Sequence, residues 1–539
     1  MTGVSIRGMT FCSSLAIAVA GMPAVAQAQA QAQDRAEAGA PRGDDIVVTA
    51  QRRADTVQDT PLAISAISGD NLRGRNVTDL ASLSGTMSNV DINIANGVPR
   101  ITIRGIGNTS TQPNNESQLA YHVDGFYIGR PEATSDSFFD VSRIEVVRGP
   151  QGTLYGRNAT SGAINVITAD PGDRLEGYGD LTLGTFEAIK FEGAISAPLT
   201  EGVSARIAVQ SVDRGGYGKD GRGLDLQDQH SKAIRGKLKI EPTSSLKILL
   251  SADYYHQDDA SSAVYFANAG DYAGQVNRAF LFGGTVPSDR YHNNTGDHAT
   301  KLKKDNWGLG ATIDWDLSDW ATLASYTGYR ETKFSHEFDF DLTQVNLAFY
   351  KQAATSRQFS QELRLGGTVG RVNYVVGGYY YEDELNFRAA LVRNRMNFDP
   401  ALSSQLIKSF NQDGIAKTKA YAIFGQVGIE FTDWIGLDVG ARQSWERKNR
   451  VRDGLASLQP PSLPFPSDPT QPSYDILVNP AGFYDDNLDI FDPANVPTHT
   501  QFPQLKLKFK KFTPKATLRI KPNDDILIYA TYSQGFRSG

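Results

Sequence analysis

The run Asn306-Trp307-Gly308-Leu309-Gly310-Ala311-Thr312-Ile313-Asp314-Trp315 alternates residue by residue. Trp307, Leu309, Ala311, Ile313 and Trp315 fall on one face of an extended strand, because successive side chains point to opposite sides. The other face receives glycine and polar residues. The same pattern recurs on both sides of this segment. Val203, Ala205, Ile207 and Val209 share a face, as do Leu246, Ile248 and Leu250. So do Tyr421, Ile423, Gly425, Val427 and Ile429, and again Ile435, Leu437, Val439 and Ala441. Each run predicts a strand with one apolar and one polar face. The runs reach about 9–13 residues, the length a tilted strand needs to cross a bilayer. Trp315, Trp320, Trp434 and Tyr379 to Tyr381 gather at strand ends, where an interfacial aromatic girdle would sit.

The connections sharpen this reading. Every second one is tight: Pro198 to Gly202, Pro242 to Ser245, Leu317 to Asp319, Gly367 to Gly370, Thr432 to Trp434 and Pro522 to Asp524. The others are long, and the expected loops are Gly215 to Ser231, Asp258 to Lys304, Phe334 to Thr355, Arg388 to Lys417 and Asn449 to Lys510. Short turns on one side and long loops on the other are the asymmetry of an outer-membrane barrel.

Composition excludes other classes. The chain has 539 residues, 54 basic and 60 acidic side chains and a net charge of −6, with 40% hydrophobic and 10% aromatic residues. It is too apolar to be disordered and carries no basic footprint for nucleic acid. Beyond residue 26 no run of about 18 apolar residues exists, which excludes a multi-helix membrane protein. At the N-terminus, Arg7, the apolar stretch Phe11 to Ala20 and the small-residue site Ala24-Val25-Ala26 read as an export signal over residues 1–26. The single cysteine, Cys12, lies within it, so the exported chain has no disulfide or thiolate site. Residues 27–44 read as a flexible periplasmic tail.

From Asp45 to Asp173 the grammar is that of a small α/β domain. Short strands are expected at Leu62 to Ile67, Arg100 to Arg104, Ile144 to Arg148 and Ala163 to Thr168. Ser68 to Asn71 reads as a turn and Val77 to Leu83 as a helix start. Ile46 to Ala50 is a β-branched run. Its residues fit either the first strand of this domain or a segment that adds to a partner's sheet edge. Arg143, Arg148 and Arg157 flank the glycine turn Gly149-Pro150-Gln151-Gly152. No Gly-Lys-Ser/Thr follows, so a phosphate loop is rejected. Inside a water-lined barrel these arginines need partners, and Glu362, facing the lumen opposite Leu363 and Leu365, is a candidate. Glu337, Asp339 and Asp341 share a face and fit either a hard cation or, better, a solvated acidic surface. The close histidine pair His292 and His298 lacks supporting ligand spacing. No nucleophile elbow or other catalytic constellation is present, and no metal site or cofactor is expected.

Four segments then fall into a known order. They are Asp45-Ile46-Val47-Val48-Thr49-Ala50, Val123-Asp124-Gly125-Phe126-Tyr127, the stretch Ser142 to Gly152, and Leu154-Tyr155-Gly156 running into Arg157 to Thr168. Together they closely resemble the plug domain of TonB-dependent outer-membrane receptors. Tyr529 to Phe536 resembles a middle or later barrel strand of that family. The resemblance implies an N-terminal α/β plug, residues 52–173, inside a transmembrane antiparallel β-barrel of about 22 strands that starts at residue 174. It marks residues 45–51, with Ile46, Val47, Val48, Thr49 and Ala50, as the TonB box. It favours a plug-arginine to barrel-glutamate lock drawn from Arg104, Arg143, Arg148, Arg157 and Glu362, around Gly149 and Gly152. It further implies a monomer in the bacterial outer membrane, in contact with its lipid, that imports a small-molecule ligand with energy from TonB, ExbB and ExbD. The default cargo is a ferric siderophore or similar iron chelate, with glycans, cobalamin and aromatic compounds as alternatives and a passive porin as another. A signalling receptor would need a folded domain ahead of the box, for which residues 27–44 are too few.

Ligand contacts are expected at the polar apex Gly107 to Glu116, with Asn108, Gln112, Asn114 and Asn115, and on loop tyrosines Tyr254, Tyr255 and Tyr265. Only about 13 alternating segments lie between Gly177 and Arg537, an odd number and well short of 22. An open sheet in lipid leaves unpaired backbone groups at two edges. The sequence therefore predicts a C-terminally truncated receptor, an unclosed wall with its first and last strands unpaired.

Overall fold

The computed structural model describes residues 46–538 apart from 54, 76, 78, 109–115, 137, 262–283, 286–292, 297, 345–347, 394–409, 458–499, 502–504 and 524. Two structural layers follow one another along the chain. The first opens with a pair of short strands, β1 (Val47–Val48) and β2 (Asp55–Thr56), joined antiparallel. Then come β3 (Ile64–Ser68), helix α1 (Gly69–Gly74), a 3-10 turn at Ala81–Gly85, and the antiparallel trio β4 (Val90–Ala95), β5 (Val98–Ile103) and β6 (Ile106–Gly107). β7 (Leu119–Val123), β8 (Phe126–Tyr127), β9 (Val141–Arg148) and β10 (Gly162–Thr168) complete a five-stranded sheet in the order β3-β9-β10-β7-β8. β7 and β10 run parallel and the remaining pairs antiparallel. Asp124 and Gly125 both take positive φ and close the tight β7–β8 hairpin.

The helix lies one segment earlier than the sequence suggests. Ser68 Oγ accepts the Asn71 N–H at 3.3 Å and so caps α1, and Leu72 anchors it in the core. Leu80 and Leu83, on the expected helix, are buried from an irregular stretch and the 3-10 turn. The core gathers these leucines with Ile101, Ile103, Ile144, Val146, Ile164 and Val166.

The second layer is a meander of long antiparallel strands. β11 (Glu176–Leu183), β12 (Ile189–Thr200) and β13 (Val203–Arg214) begin it. A small hairpin, β14 (Gly218–Lys219) with β15 (Asp225–Leu226), leads to β16 (Gln229–Thr243), β17 (Leu246–Asp259), β18 (Lys301–Ser318) and β19 (Ala321–Asp339). β20 (Ala348–Val369), β21 (Val372–Arg393), β22 (Phe410–Glu430) and β23 (Ile435–Ser457) are the longest. The two-residue β24 (Thr500–Gln501), then β25 (Leu505–Asn523) and β26 (Ile526–Ser533), end the sheet. Thirteen long strands pair strictly with their neighbours in sequence, and β24 pairs beside them on β23. Among the described residues no ladder joins β11 to β26, so the wall is open.

The wall is apolar outside and polar inside. Leu309, Ile313, Ile423 and Val427 are exposed, whereas Asn306, Gln358, Ser360 and Gln426 are buried against the plug. This inversion of a soluble core is what a lipid-facing barrel requires. The inner face is not uniformly polar, however: Phe424 packs on Leu154 and Tyr155 of the plug.

The long connections are shorter than expected because the strands continue beyond bilayer height. β20 to β23 have 21 to 23 residues each, about twice what crossing a membrane requires. Cross-strand ion pairs hold these extensions together, such as Lys417 with Glu384 at 2.7 Å and Lys419 with Glu382 at 2.9 Å. The tight turns at the other end have two to four residues, the periplasmic side of such a wall.

Candidate functional site

The Ile46 to Ala50 run is docked on the plug. Val47 is 42% exposed, but Val48 and Ala50 are each 1% exposed. Thr49 donates its backbone N–H to Glu145 Oε1 at 2.9 Å, and Arg143 Nε donates to the same oxygen at 2.9 Å. Asn165 donates to the other oxygen of Glu145 at 3.2 Å, so this fully buried carboxylate gathers Thr49, Arg143 and the sheet. Two residues beyond Ala50, Arg52 takes a positive φ and places its guanidinium 3.5 Å from Glu362 of β20 and over the Tyr155 ring.

The arginine partners therefore differ from the expected set. Glu362 pairs with Arg52 and with Arg364 at 3.3 Å, not with Arg143, Arg148 or Arg157. Arg143 stays within the plug on Glu145. Arg148 does too, donating to Ser88 O and Ser65 Oγ. Its guanidinium pKa is held below the usual value by burial and by the neighbouring Arg104 charge. The reason is geometric: both side chains leave β9, a central strand of the plug sheet, and its neighbours β3 and β10 surround them. Arg157 does reach the wall. It donates to Glu116 at 2.8 Å and to Glu446 of β23 at 2.8 Å, with its guanidinium over the Tyr381 ring. Burial alone would raise the Glu116 carboxyl, but Arg157 and Lys448 hold it down at about 2.

Gly149 and Gly152 serve the backbone. Gly149 has φ +86°, and a Cβ on Gly152 would lie 2.4 Å from the Gln534 carbonyl oxygen. Arg104 also has a positive φ, and its N–H bonds to Asn89 O.

Several ties between plug and wall escaped the sequence reading. Arg130 pairs with Asp383 of β21, where Ser356 also donates to the carboxylate. Arg206 of β13 makes a two-nitrogen contact with Asp140. Lys237 of β16 lies 3.1 Å from Asp124, which also accepts from Thr168 N and Oγ1. Asn306 donates to Asp136 at 2.8 Å. The available signal was the inner-face register: Asp383, Lys237 and Asn306 all occupy the polar alternation positions of their strands.

Of the expected ligand contacts, Asn108 is buried in the plug. Gln112, Asn114, Asn115 and Tyr265 lie outside the described residues. Tyr254 and Tyr255 belong to strand β17 rather than to a loop. Tyr254 points outward, 43% exposed, and donates to Asp305. Tyr255 faces inward and packs near Phe139 of the plug. Strand alternation sends the two to opposite faces, which removes Tyr254 from any vestibule. Glu337 pairs with His298 at 2.5 Å and with Lys351 at 3.5 Å. Asp339 and Asp341 accept backbone N–H groups of the turn that follows. No cluster of three metal-ligating side chains occurs among the described residues.

Residues 248–539 match the family described as "TonB dependent receptor-like, beta-barrel", and residues 56–163 match the "TonB-dependent Receptor Plug Domain". The chain belongs to the TonB-dependent receptor family. It is accordingly a bacterial outer-membrane β-barrel protein. The receptor is 27% identical over 233 residues to the iron-regulated outer membrane virulence protein of Vibrio cholerae, covering 40% of this chain and 34% of that one. It is 32% identical over 195 residues to the ferric enterobactin receptor PirA of Pseudomonas aeruginosa, covering 32% of this chain and 26% of that one. The crystal structure of the ferric yersiniabactin uptake receptor FyuA from Yersinia pestis superposes with a TM-score of 0.69 at 16% identity, over 89% of this chain and 65% of that one. At that identity the likeness is one of fold. The matches span about a third of the length of the curated relatives and just under two thirds of FyuA.

Proposed function

We propose that the receptor takes part in energised uptake of a ferric siderophore or similar iron chelate, with TonB, ExbB and ExbD supplying the pull from the inner membrane. The observation that carries this reading is the docking of Val47–Val48 and Thr49 beneath a plug that polar and ionic contacts tie to the wall. Among the described residues Val47–Val48 pairs only with the two-residue β2, and Thr49 is held through Glu145, so the box can detach without unfolding the plug sheet. A strand of this kind is suited to joining a partner's sheet edge. Ion pairs between plug and wall that stay open to water, such as Lys521 with Asp59, are weak enough to break under load. The names of the relatives, iron-regulated and ferric-siderophore receptors, favour iron chelates as cargo. In this reading ligand binding at the outer side shifts the population in which the box is free, which couples two distant sites.

Val47→Pro tests it. Proline removes the backbone donor and fixes φ in the box. Uptake of a labelled ferric chelate should fall to background while binding to cells stays unchanged. Equal uptake by the variant would overturn the assignment of residues 45–51 as the box.

A further inference from the structure

A cavity of about 290 Å³ lies just behind the box. Gln51 and Arg52 of the plug close one side, and Asp314, Tyr326, Arg364 and Gln426 of β18, β19, β20 and β22 form the rest. These wall residues stand near the short turns, so the cavity sits at the periplasmic end of the lumen. It is built from central strands of the sheet, far from both open edges.

Its polar lining is incomplete. Gln51, Arg364 and Gln426 are all more than nine-tenths buried. Yet both amide atoms of Gln51, Nε of Arg52 and Oε1 of Gln426 have no hydrogen-bond partner among the described residues, and Nε of Arg364 has only its ion-pair contact with Glu362. Folded proteins rarely leave such groups unmet, so a cluster of them around one space points to a missing polar occupant. The two guanidiniums share the single carboxylate of Glu362, Arg52 through Nη2 at 3.5 Å and Arg364 through Nε at 3.3 Å. Arg364 is also braced over the Tyr326 ring at 4.2 Å, which fixes the direction of its donors. Donors on Arg52, Arg364 and Gln51 suit an oxyanion. Acceptors on Gln426 and Asp314 suit a hydroxyl on the same molecule.

We propose that this cavity is a binding site for a small hydroxycarboxylate, its carboxylate held by Arg52 and Arg364 and its hydroxyl by Gln426 and Asp314. The same chemistry is found in a free organic acid of the periplasm and in a chelating arm of an imported metal complex. Gln51 ends the proposed box and Arg52 directly follows it, so an occupant bridges the box to β20 and β22. Pulling the box away would open the cavity towards the periplasm. The cargo version extends the uptake reading and rests on it; the site itself does not, because binding in detergent needs neither TonB nor transport.

Isothermal titration of the full chain in detergent micelles tests the site, with malate and with succinate, which lacks only the hydroxyl. Malate should bind saturably at one site, roughly tenfold tighter than succinate. Arg364→Gln should weaken malate at least about tenfold, Arg364→Lys should restore part of it, and Arg371→Gln on an exposed turn should change nothing. If Arg364→Gln fails to fold, Gln426→Leu serves instead, and it should weaken malate but not succinate. Hydrogen exchange over residues 46–53 should slow when malate is present. Tighter binding of a ferric hydroxycarboxylate than of malate would assign the site to cargo, and equal binding would assign it to the free acid. Absence of saturable malate binding, or equal binding by wild type and the variants, would overturn the proposal without touching the uptake reading.

Discussion

Replacing Arg157 by methionine should loosen the plug far more than it disturbs the wall. The Arg157 guanidinium is buried and serves two carboxylates, Glu116 on the plug and Glu446 on β23, each at 2.8 Å. Methionine fills a similar volume but leaves both carboxylates facing each other with Lys448 as their remaining cation, 2.9 Å from Glu116 and 3.7 Å from Glu446. Breaking a buried pair from one side costs about 3–5 kcal/mol, since the stranded charge keeps its desolvation penalty. At 1.4 kcal/mol per decade this is a shift of about two to three and a half decades in the opening equilibrium of the plug. Glu446→Gln should cost much less, about 1 kcal/mol, because Arg157 keeps Glu116 and a neutral acceptor. The assay is native-state hydrogen exchange on the detergent-solubilised chain, read at amides of β9 and β10. All five tryptophans, Trp307, Trp315, Trp320, Trp434 and Trp445, lie on the wall or its turns, so their fluorescence reports the wall separately. A change of less than threefold in plug exchange for Arg157→Met, or an equal change in wall fluorescence, would refute the view that this pair holds the plug to β23.

Three further outcomes follow. Because the Glu116 carboxyl is depressed to about 2 from an ordinary 4.5, its contribution to plug docking is present in full above pH 4.5 and is lost as pH falls through 2; plug exchange should accelerate across that window, and less so in Glu116→Gln. Gly152→Ala places a Cβ 2.4 Å from the Gln534 carbonyl and should destabilise the contact of the plug with the segment after β26 by about 1–3 kcal/mol in urea titrations, whereas Gly149→Ala meets nothing nearer than 4.0 Å and should cost only the positive-φ strain of about 1–2 kcal/mol. Glu145→Gln turns an acceptor-only group into one with a donor facing Arg143 and Asn165, so proteolysis within residues 46–53 should quicken about tenfold with wall fluorescence unchanged.

Strand register was legible because period-2 alternation is a local signal. The face shared by Trp307, Leu309, Ala311, Ile313 and Trp315 needs no knowledge of the rest of the chain, and thirteen long strands appear where about thirteen runs could be read. Strand length was not legible. Beyond the membrane the outer face meets water and carries charged pairs such as Lys419 with Glu382, while the inner face turns apolar and buried at Leu385 and Phe387, so the alternation changes sides. The short helix was missed for a related reason: six residues, Gly69–Gly74, are too few to show a 3.6-residue period, and only the Ser68 cap marks them. Tyrosine positions in β17 failed because a Tyr-Tyr pair on a strand must split between lumen and lipid, whatever its proximity to a loop.

Charge partners depend on three-dimensional register, and here that dependence organises the receptor. The plug arginines divide by strand: Arg143 and Arg148 on the interior β9 are spent inside the plug, while Arg157 and Arg130, on irregular segments facing outward, reach Glu446 and Asp383. Glu362 faces the lumen as its alternation requires, but the cation opposite it comes from Arg52, beside the box, rather than from the glycine-rich motif. The ties consequently fall at two levels. Arg157 with Glu116 and Glu446 lies farther from the short turns and fastens the plug to β23. Arg52 with Glu362 lies at the end with the short turns and fastens the segment after Ala50 to β20. A force applied at Ile46 to Ala50 would load the second tie first, since only Gln51 separates Ala50 from Arg52. The buried Glu145 stands on β9, whose neighbour β10 leads back to Asn158 and Arg157 through the Ala159–Ser161 segment. A pull that frees Thr49 from Glu145 therefore acts on a sheet whose other end holds the upper tie, which gives the two levels a physical route to act in sequence.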